Sequence, residues 1–202
     1  MEMSDTFKSI IKSDLNRYVN TNSFGILKKC WFFTKCLIMY DTFSVLFWWR
    51  LMKYLETKNF VAKVFNILVK FIFFIKRRQT GIQIPKKCSL GRGIRFCHFS
   101  CIVFAEGVRI GDYCSIHQGV TIGRKFAGEQ KGVPTIGNNV IVFPGAKVIG
   151  NITVGNNVVI GANATVIADV PDNSVVVGTP ARVISNDSSR AIDSEWHEFF
   201  AW

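Results

Sequence analysis

Glycine and proline are nearly missing from the first 80 residues: of 16 glycines only Gly25 lies there, and all five prolines come later. A stretch without the two residues that punctuate turns excludes a many-turned β fold, and residues 5–78 read as helices. Apolar side chains recur at three- and four-residue spacing through Phe43, Leu46, Phe47, Trp49, Leu51 and Leu55, and again through Val61, Val64, Phe65, Ile67 and Leu68. Long uncharged apolar runs are missing too. A membrane span needs about 20 predominantly apolar residues, but Lys35, Asp41, Arg50, Lys63 and Lys70 interrupt every candidate. The opening Met-Glu-Met-Ser-Asp lacks the basic and apolar regions of a signal peptide, so a cytoplasmic protein is expected. Histidine is scarce. Cys97 and Cys101 are four apart, but no second pair or histidine cluster completes a zinc site, and no metal is expected. The six cysteines are expected to be reduced thiols used as small hydrophobes.

Acidic residues are also few, 14 against 25 Lys and Arg. The imbalance is local. Residues 1–80 hold 14 basic and 5 acidic side chains, whereas residues 81–202 hold 11 and 9. That distribution argues against a nucleic-acid partner and directs attention to the helical part. The same part is rich in aromatics, as in Cys30-Trp-Phe-Phe-Thr-Lys, Phe47-Trp-Trp-Arg and Phe71-Ile-Phe-Phe-Ile. Two readings stay open. Residues 1–80 form a capping or trimer-packing region whose lysine stems snorkel, or they make peripheral contact with the anionic inner face of a membrane.

From Gly81 onward glycine, proline and β-branched residues dominate, and the chain repeats itself. An aliphatic residue returns every sixth position at Ile136, Val142, Val148, Val154, Ile160 and Val166. Upstream the beat runs Ile84, Leu90, Phe96 and Ile102, then Ile110, Ile116 and Ile122. The step from 102 to 110 asks for two inserted residues. The step from 122 to 136 is two hexads plus two, or one hexad and an eight-residue excursion. Neither a helix nor a simple strand has a period of six. A left-handed parallel β-helix does, because each hexapeptide forms one short strand and corner of a triangular prism. The expected fold is therefore mainly β: a left-handed parallel β-helix over 81–185, an N-terminal α-helical region over 1–80, a loop at 123–135 and a C-terminal tail over 186–202. Stacking the hexads three to a coil places His98, Gln118, Pro144 and Ala162 in one row on the third face.

Several segments resemble the serine acetyltransferase branch of the hexapeptide acyltransferases. They are Gly91-Arg-Gly-Ile-Arg-Phe-Cys-His-Phe-Ser-Cys-Ile-Val, Cys114-Ser-Ile-His-Gln-Gly-Val-Thr-Ile-Gly, Pro134-Thr-Ile-Gly-Asn-Asn-Val, Gly145-Ala-Lys-Val-Ile-Gly-Asn-Ile and Val177-Gly-Thr-Pro-Ala-Arg-Val. The resemblance implies a homotrimer with acetyl-CoA in a groove between neighbouring prisms, bound along Gly123, Pro144, Ala146, Lys147, Ala162 and Arg182. It places the catalytic histidine at His98, which takes the acceptor's proton and later gives it to the CoA thiolate. An imidazole suits this because its unperturbed pKa is ~6.5.

The pattern departs from the family at three positions. The aspartate that orients the family's histidine is replaced by Gln83, whose amide oxygen can accept Nδ1–H but supplies no charge; Glu106 matches a family acid and is the candidate for that charge. The aspartate preceding the histidine is Cys97, and a second active-site histidine falls on Val133. Cys97, His117, Gln118 and Arg124 are the expected acceptor-side residues. His117 is either a second-layer partner of His98 or an exposed corner residue.

The short helical region, with Tyr40-Asp-Thr-Phe and Gly81-Ile-Gln-Ile-Pro, resembles relatives that modify capsule, exopolysaccharide and O-antigen. The expected activity is an acetyl-CoA-dependent O-acetyltransferase acting on a hydroxyl of a surface glycan or its precursor. The alternative is serine O-acetylation in cysteine biosynthesis.

Overall fold

The computed structural model describes residues 6–19 and 24–198, with side chains described through residue 193. Four helices come first: α1 (Phe7–Asn16), α2 (Ile26–Met39), α3 (Asp41–Glu56) and α4 (Phe60–Thr80). Local chemistry sets their ends. Asn59 Oδ1 accepts the Ala62 N–H at 3.1 Å to open α4. Gly81, at φ +66°, closes α4 in the left-handed conformation that favours glycine.

The rest winds into the expected left-handed prism of three parallel faces. The first face stacks β1 (Ile82–Gln83), β4 (Ile102–Phe104), β7 (Thr121–Gly123), β10 (Lys147–Ile149) and β13 (Thr165–Val166). The second stacks β2 (Ser89–Leu90), β5 (Arg109–Ile110), β8 (Thr135–Ile136) and β11 (Thr153–Val154). The third stacks β3 (Arg95–Phe96), β6 (Ser115–Ile116), β9 (Ile141–Val142), β12 (Val159–Ile160) and β14 (Val175–Gly178). An antiparallel strand, β15 (Ala181–Ser185), closes that face against β14. Phe96, Ile116, Val142, Ile160 and Val176 align in register and are buried in the prism, as the hexad rule requires.

The structure corrects the expected phasing in one place. On the first face Phe104, not Ile102, pairs with Ile122, so the hexads run 104, 110, 116 and 122 without a gap. The two extra residues lie in the corner between Phe96 and Phe104, immediately after His98. Ile102 satisfies the aliphatic rule as well as Phe104 does, which is why spacing alone did not separate them. The corner is accommodated by Ser100 at φ 100° and Cys101 at φ 54°. The 14-residue step to Ile136 is one hexad plus an eight-residue excursion, since Ile122 and Ile136 lie on successive faces.

The corners explain the residue choice. Asp112 Oδ1 accepts the Arg92 N–H, Asn138 Oδ1 the Asp112 N–H, Asn156 Oδ1 the Asn138 N–H and Asp172 Oδ1 the Asn156 N–H. Each coil thus satisfies a backbone donor of the coil before it. Beside this ladder runs a glycine column. A Cβ on Gly137 would lie 2.6 Å from the Gly155 carbonyl oxygen, and one on Gly111 2.6 Å from that of Gly137.

The open end of such a prism presents unpaired backbone groups, and charged helix residues cover them. Arg50 of α3 donates to the Leu90 carbonyl at 3.2 Å and to that of Gly91, and Lys53 donates to the Cys88 carbonyl at 2.7 Å. Asp14 of α1 accepts the Ile94 N–H at 3.1 Å and forms a buried ion pair with Arg50. Val45, Leu46, Trp49 and Met52 of α3 complete the cap by joining the prism's apolar core.

The expected polar tail is partly a helix, α5 (Ser189–Glu198). Its Ile192 packs on the outward-facing Ile141 and Val159 of the third face. Those two outward apolar side chains call for a cover, and Asp187 Oδ1 starts the helix by accepting the Ser189 N–H at 2.9 Å.

Candidate active site

His98 stands where the third face turns into the first. Lower coils make the same corner in register: Gly145 N–H donates to the Gln118 carbonyl and Asn163 N–H to the Pro144 carbonyl, both at 2.9 Å. At the top, Gly119 N–H donates to Ser100 rather than to the residue at 98. The expected row therefore holds for Gln118, Pro144 and Ala162, and His98 is displaced from its head by the two-residue insertion. The insertion puts His98 on the outside of the prism, exposed, with Phe99 beside it also exposed.

The His98 imidazole forms no hydrogen bond with any described residue, and its ring centroid lies 6.2 Å from that of His117. His117 is half-buried, stacked on Phe143 with centroids 5.1 Å apart and planes 18° from parallel. Burial first, then electrostatic repulsion from the neighbouring His98 and Arg95, push its pKa down to about 4. His117 is thus a neutral imidazole near pH 7. Its Nε2 and the Oε1 of Gln118 are both buried without a hydrogen-bond partner among the described residues. Two uncompensated polar atoms beside an accessible imidazole are groups a polar ligand would satisfy. Phe143 is the contributor that sequence reasoning missed. Its signal was available, because it occupies the position after the inward Val142 that His117 occupies after Ile116.

The other expected residues divide between this corner and the next. Cys97 is half-buried beside His98. Gln83 lies exposed on β1 and is not hydrogen-bonded to His98. Glu106 lies at the following corner, where its carboxylate pairs with Lys87 at 3.1 Å and its carbonyl accepts from Arg124 at 2.9 Å. The loop after β7 leaves from that same corner, so within one chain the width of the first face separates it from His98. The loop is pinned at its base by reciprocal Lys125 and Gly132 backbone bonds, and Phe126, next to that base, is exposed. Val133 packs against the prism core there.

Among the residues expected to hold CoA, Pro144 is half-buried and Ala162 exposed along the His98 corner, Gly123 is half-buried, and Arg182 is exposed on β15. Ala146 is a correction: it is fully buried inside the prism, because it occupies the second inward position of its hexad. Lys147 spends its ammonium on the carbonyls of Gly119 and Gly145, at 2.7 and 2.8 Å, and so clamps the corner backbone. A hollow of about 420 Å³ at the opposite corner, between Asn139, Asn157, Asn173 and α5, holds none of these residues. Among the described residues no three His, Cys, Asp or Glu side chains are placed to hold a metal ion.

The comparisons agree with the fold. Residues 134–168 match the family described as bacterial transferase hexapeptide (six repeats). A serine acetyltransferase from Helicobacter pylori is 39% identical over 155 residues, covering 75% of this chain and 85% of that protein. One from Synechococcus elongatus is 38% identical over 124 residues, 61% of this chain, and the chain spans 51% of its length. The crystal structure of a Brucella abortus serine acetyltransferase in complex with coenzyme A superposes with a TM-score of 0.70 at 25% identity, covering 90% of this chain and 68% of that one. The chain belongs to the hexapeptide-repeat acyltransferases, the family that includes the serine acetyltransferases.

Proposed function

We propose that the chain transfers an acetyl group from acetyl-CoA to a hydroxyl oxygen, with His98 as the general base. The observation that carries this reading is the corner itself: an exposed imidazole next to the unpartnered His117 Nε2 and Gln118 Oε1, above small Pro144 and Ala162. His98 takes the acceptor proton as the oxygen attacks the thioester carbonyl. The tetrahedral intermediate then expels the CoA thiolate, which receives that proton from the imidazolium. His117, neutral near pH 7, offers a hydrogen bond to the acceptor without placing a second positive charge beside His98. The low, open corner gives an extended pantetheine arm a path along the coils, which stack ~4.8 Å apart.

A homotrimer completes the site in this reading. Glu106, Arg124 and the loop stand at one corner and His98 at another, so a neighbouring prism can bring the first set against the second. Light scattering that shows a trimer supports this, and a monomer that turns over acetyl-CoA contradicts it.

Serine is the acceptor best supported by the comparisons, because the relatives described above are named for it. No relative described above supports the surface-glycan acceptor that the motif departures favoured. That second reading retains one observation: Cys97 and Val133 occupy positions where the family places charged or hydrogen-bonding groups, and Val133 is packed against the core. Thiol release from acetyl-CoA decides between them. Turnover with millimolar serine at the ~1–1,000 per second typical of enzymes assigns serine. Release with a sugar acceptor alone assigns the glycan, and release with neither contradicts acetyl transfer.

A further inference from the structure

We propose that helix α4 docks on an anionic lipid bilayer, lying in the surface with its outward apolar face among the headgroups. The helix buries one side, through Asn66, Val69 and Phe73, against the rest of the protein. Its other side is apolar and in water. Phe60 is 79% exposed, Phe71 60% and Phe65 52%, and Val64, Ile67 and Leu68 stand between them. At 100° per residue these positions form one broad face opposite Val69 and Phe73. The most regular apolar rhythm in the helical sequence thus points outward, whereas single soluble chains rarely expose apolar patches of more than a few hundred Å².

Charge identifies the occupant. Lys63, Lys70 and Arg77 are seven residues apart, so they form a stripe along one edge of that face, two turns between successive cations. Lys70 is also 3.2 Å from Glu56, which Lys86 shares. Arg78 lies over the Phe74 ring, at the C-terminal end of the face. Neither α4 nor α2 contains an acidic residue, and α2 exposes Ile26, Leu27, Trp31, Ile38 and Met39 among Lys28, Lys29 and Lys35. Pairing α4 with a second copy of itself would set cation against cation with no counter-charge on the face. An anionic bilayer supplies both the negative surface and the apolar layer beneath it.

The helix lies on the membrane and does not cross it. Among the described helices none is long and apolar enough to span alone. The bent pair α2 and α3 meets the length and composition requirement only jointly, at 103°, and α3 has committed Phe43, Val45, Leu46 and Trp49 to the protein interior. The proposal is independent of the acetyl-transfer reading, since no residue of the His98 corner enters it.

Flotation of the full chain tests it, using vesicles of phosphatidylcholine alone and of equal phosphatidylcholine and phosphatidylglycerol. Wild type is expected on the mixed vesicles, with binding that weakens as salt is added. The triple variant Lys63→Gln, Lys70→Gln, Arg77→Gln is expected to lose affinity on the order of a hundredfold. The double variant Phe65→Ser, Phe71→Ser is expected to lose at least about tenfold. Both substitute exposed side chains, and unchanged unfolding midpoints identify them as folded. No binding of wild type, equal binding to both vesicles, or wild-type binding by either folded variant overturns the proposal. So does a vesicle-free shift of wild type, but not of the Phe65→Ser, Phe71→Ser variant, to a larger assembly, which would give the face to a second copy.

Discussion

The two halves of the molecule use apolar residues in opposite ways. In the prism each inward side chain sits on its counterpart one coil below, so the repeat itself names the packing partner: Phe96 on Ile116, Ile116 on Val142. In the helical region periodicity names a face but no partner. The face of α3 through Phe43, Leu46 and Trp49 goes inward, whereas that of α4 through Val64, Phe65 and Leu68 goes to solvent. A repeat encodes its own neighbour; an amphipathic helix leaves the neighbour to the rest of the chain.

The same kind of substitution in the two halves should therefore behave very differently. Val142→Asp places a carboxylate in a fully buried stack with no partner, and a loss above about 4 kcal/mol is expected, enough to prevent folding of the prism. Phe65→Ser on the outward face of α4 should shift stability within about 0.5 kcal/mol. Denaturant titrations of both check this, and similar losses at the two sites would erase the distinction.

Arg50→Ala probes the joint between the halves. It strands the buried Asp14 carboxylate and leaves the Leu90 and Gly91 carbonyls unpaired, with an expected cost of about 3–5 kcal/mol. Denaturant titration followed by circular dichroism reads it. A loss below about 1 kcal/mol would show that the Arg50 contacts are not what holds the helices to the prism.

His117 gives a smaller effect, visible through pH. Its folded pKa of about 4 lies below the ~6.5 of an unfolded chain, so between those values the unfolded state binds more protons. Its contribution is therefore lost as pH falls from about 6.5 to about 4, a decline on the order of 1–2 kcal/mol once partial exposure is allowed for. His117→Gln should remove that component. Matched unfolding curves near pH 7 and near pH 4 measure it, and an unchanged slope in the variant would assign the acid sensitivity elsewhere.

The regular part of the architecture was legible because six-residue spacing fixes which side chains point inward, and twelve of the thirteen expected positions fall on the observed rows. Ile102 alone is displaced by two residues, since it and Phe104 fit the rule equally well. That ambiguity carried into the site: it hid the insertion that moves His98 off the row of Gln118, Pro144 and Ala162. Ala146 was read as a ligand-facing residue although its place in the hexad points it into the prism. The helix α5 and the outward face of α4 were not legible, because each depends on what a helix meets in three dimensions. Glu106 and Arg124 stand at another corner from His98, so their roles rest on the proposed neighbouring subunit, and Gln83 forms no hydrogen bond with His98 among the described residues.

The central claim, that His98 is the base for acetyl transfer at this corner, is tested most directly by comparing thiol release from acetyl-CoA by wild type and His98→Ala with the acceptor that supports turnover. The account predicts a fall of roughly 100-fold or more in turnover, with CoA affinity and the unfolding midpoint retained. Undiminished turnover by the folded variant would contradict it.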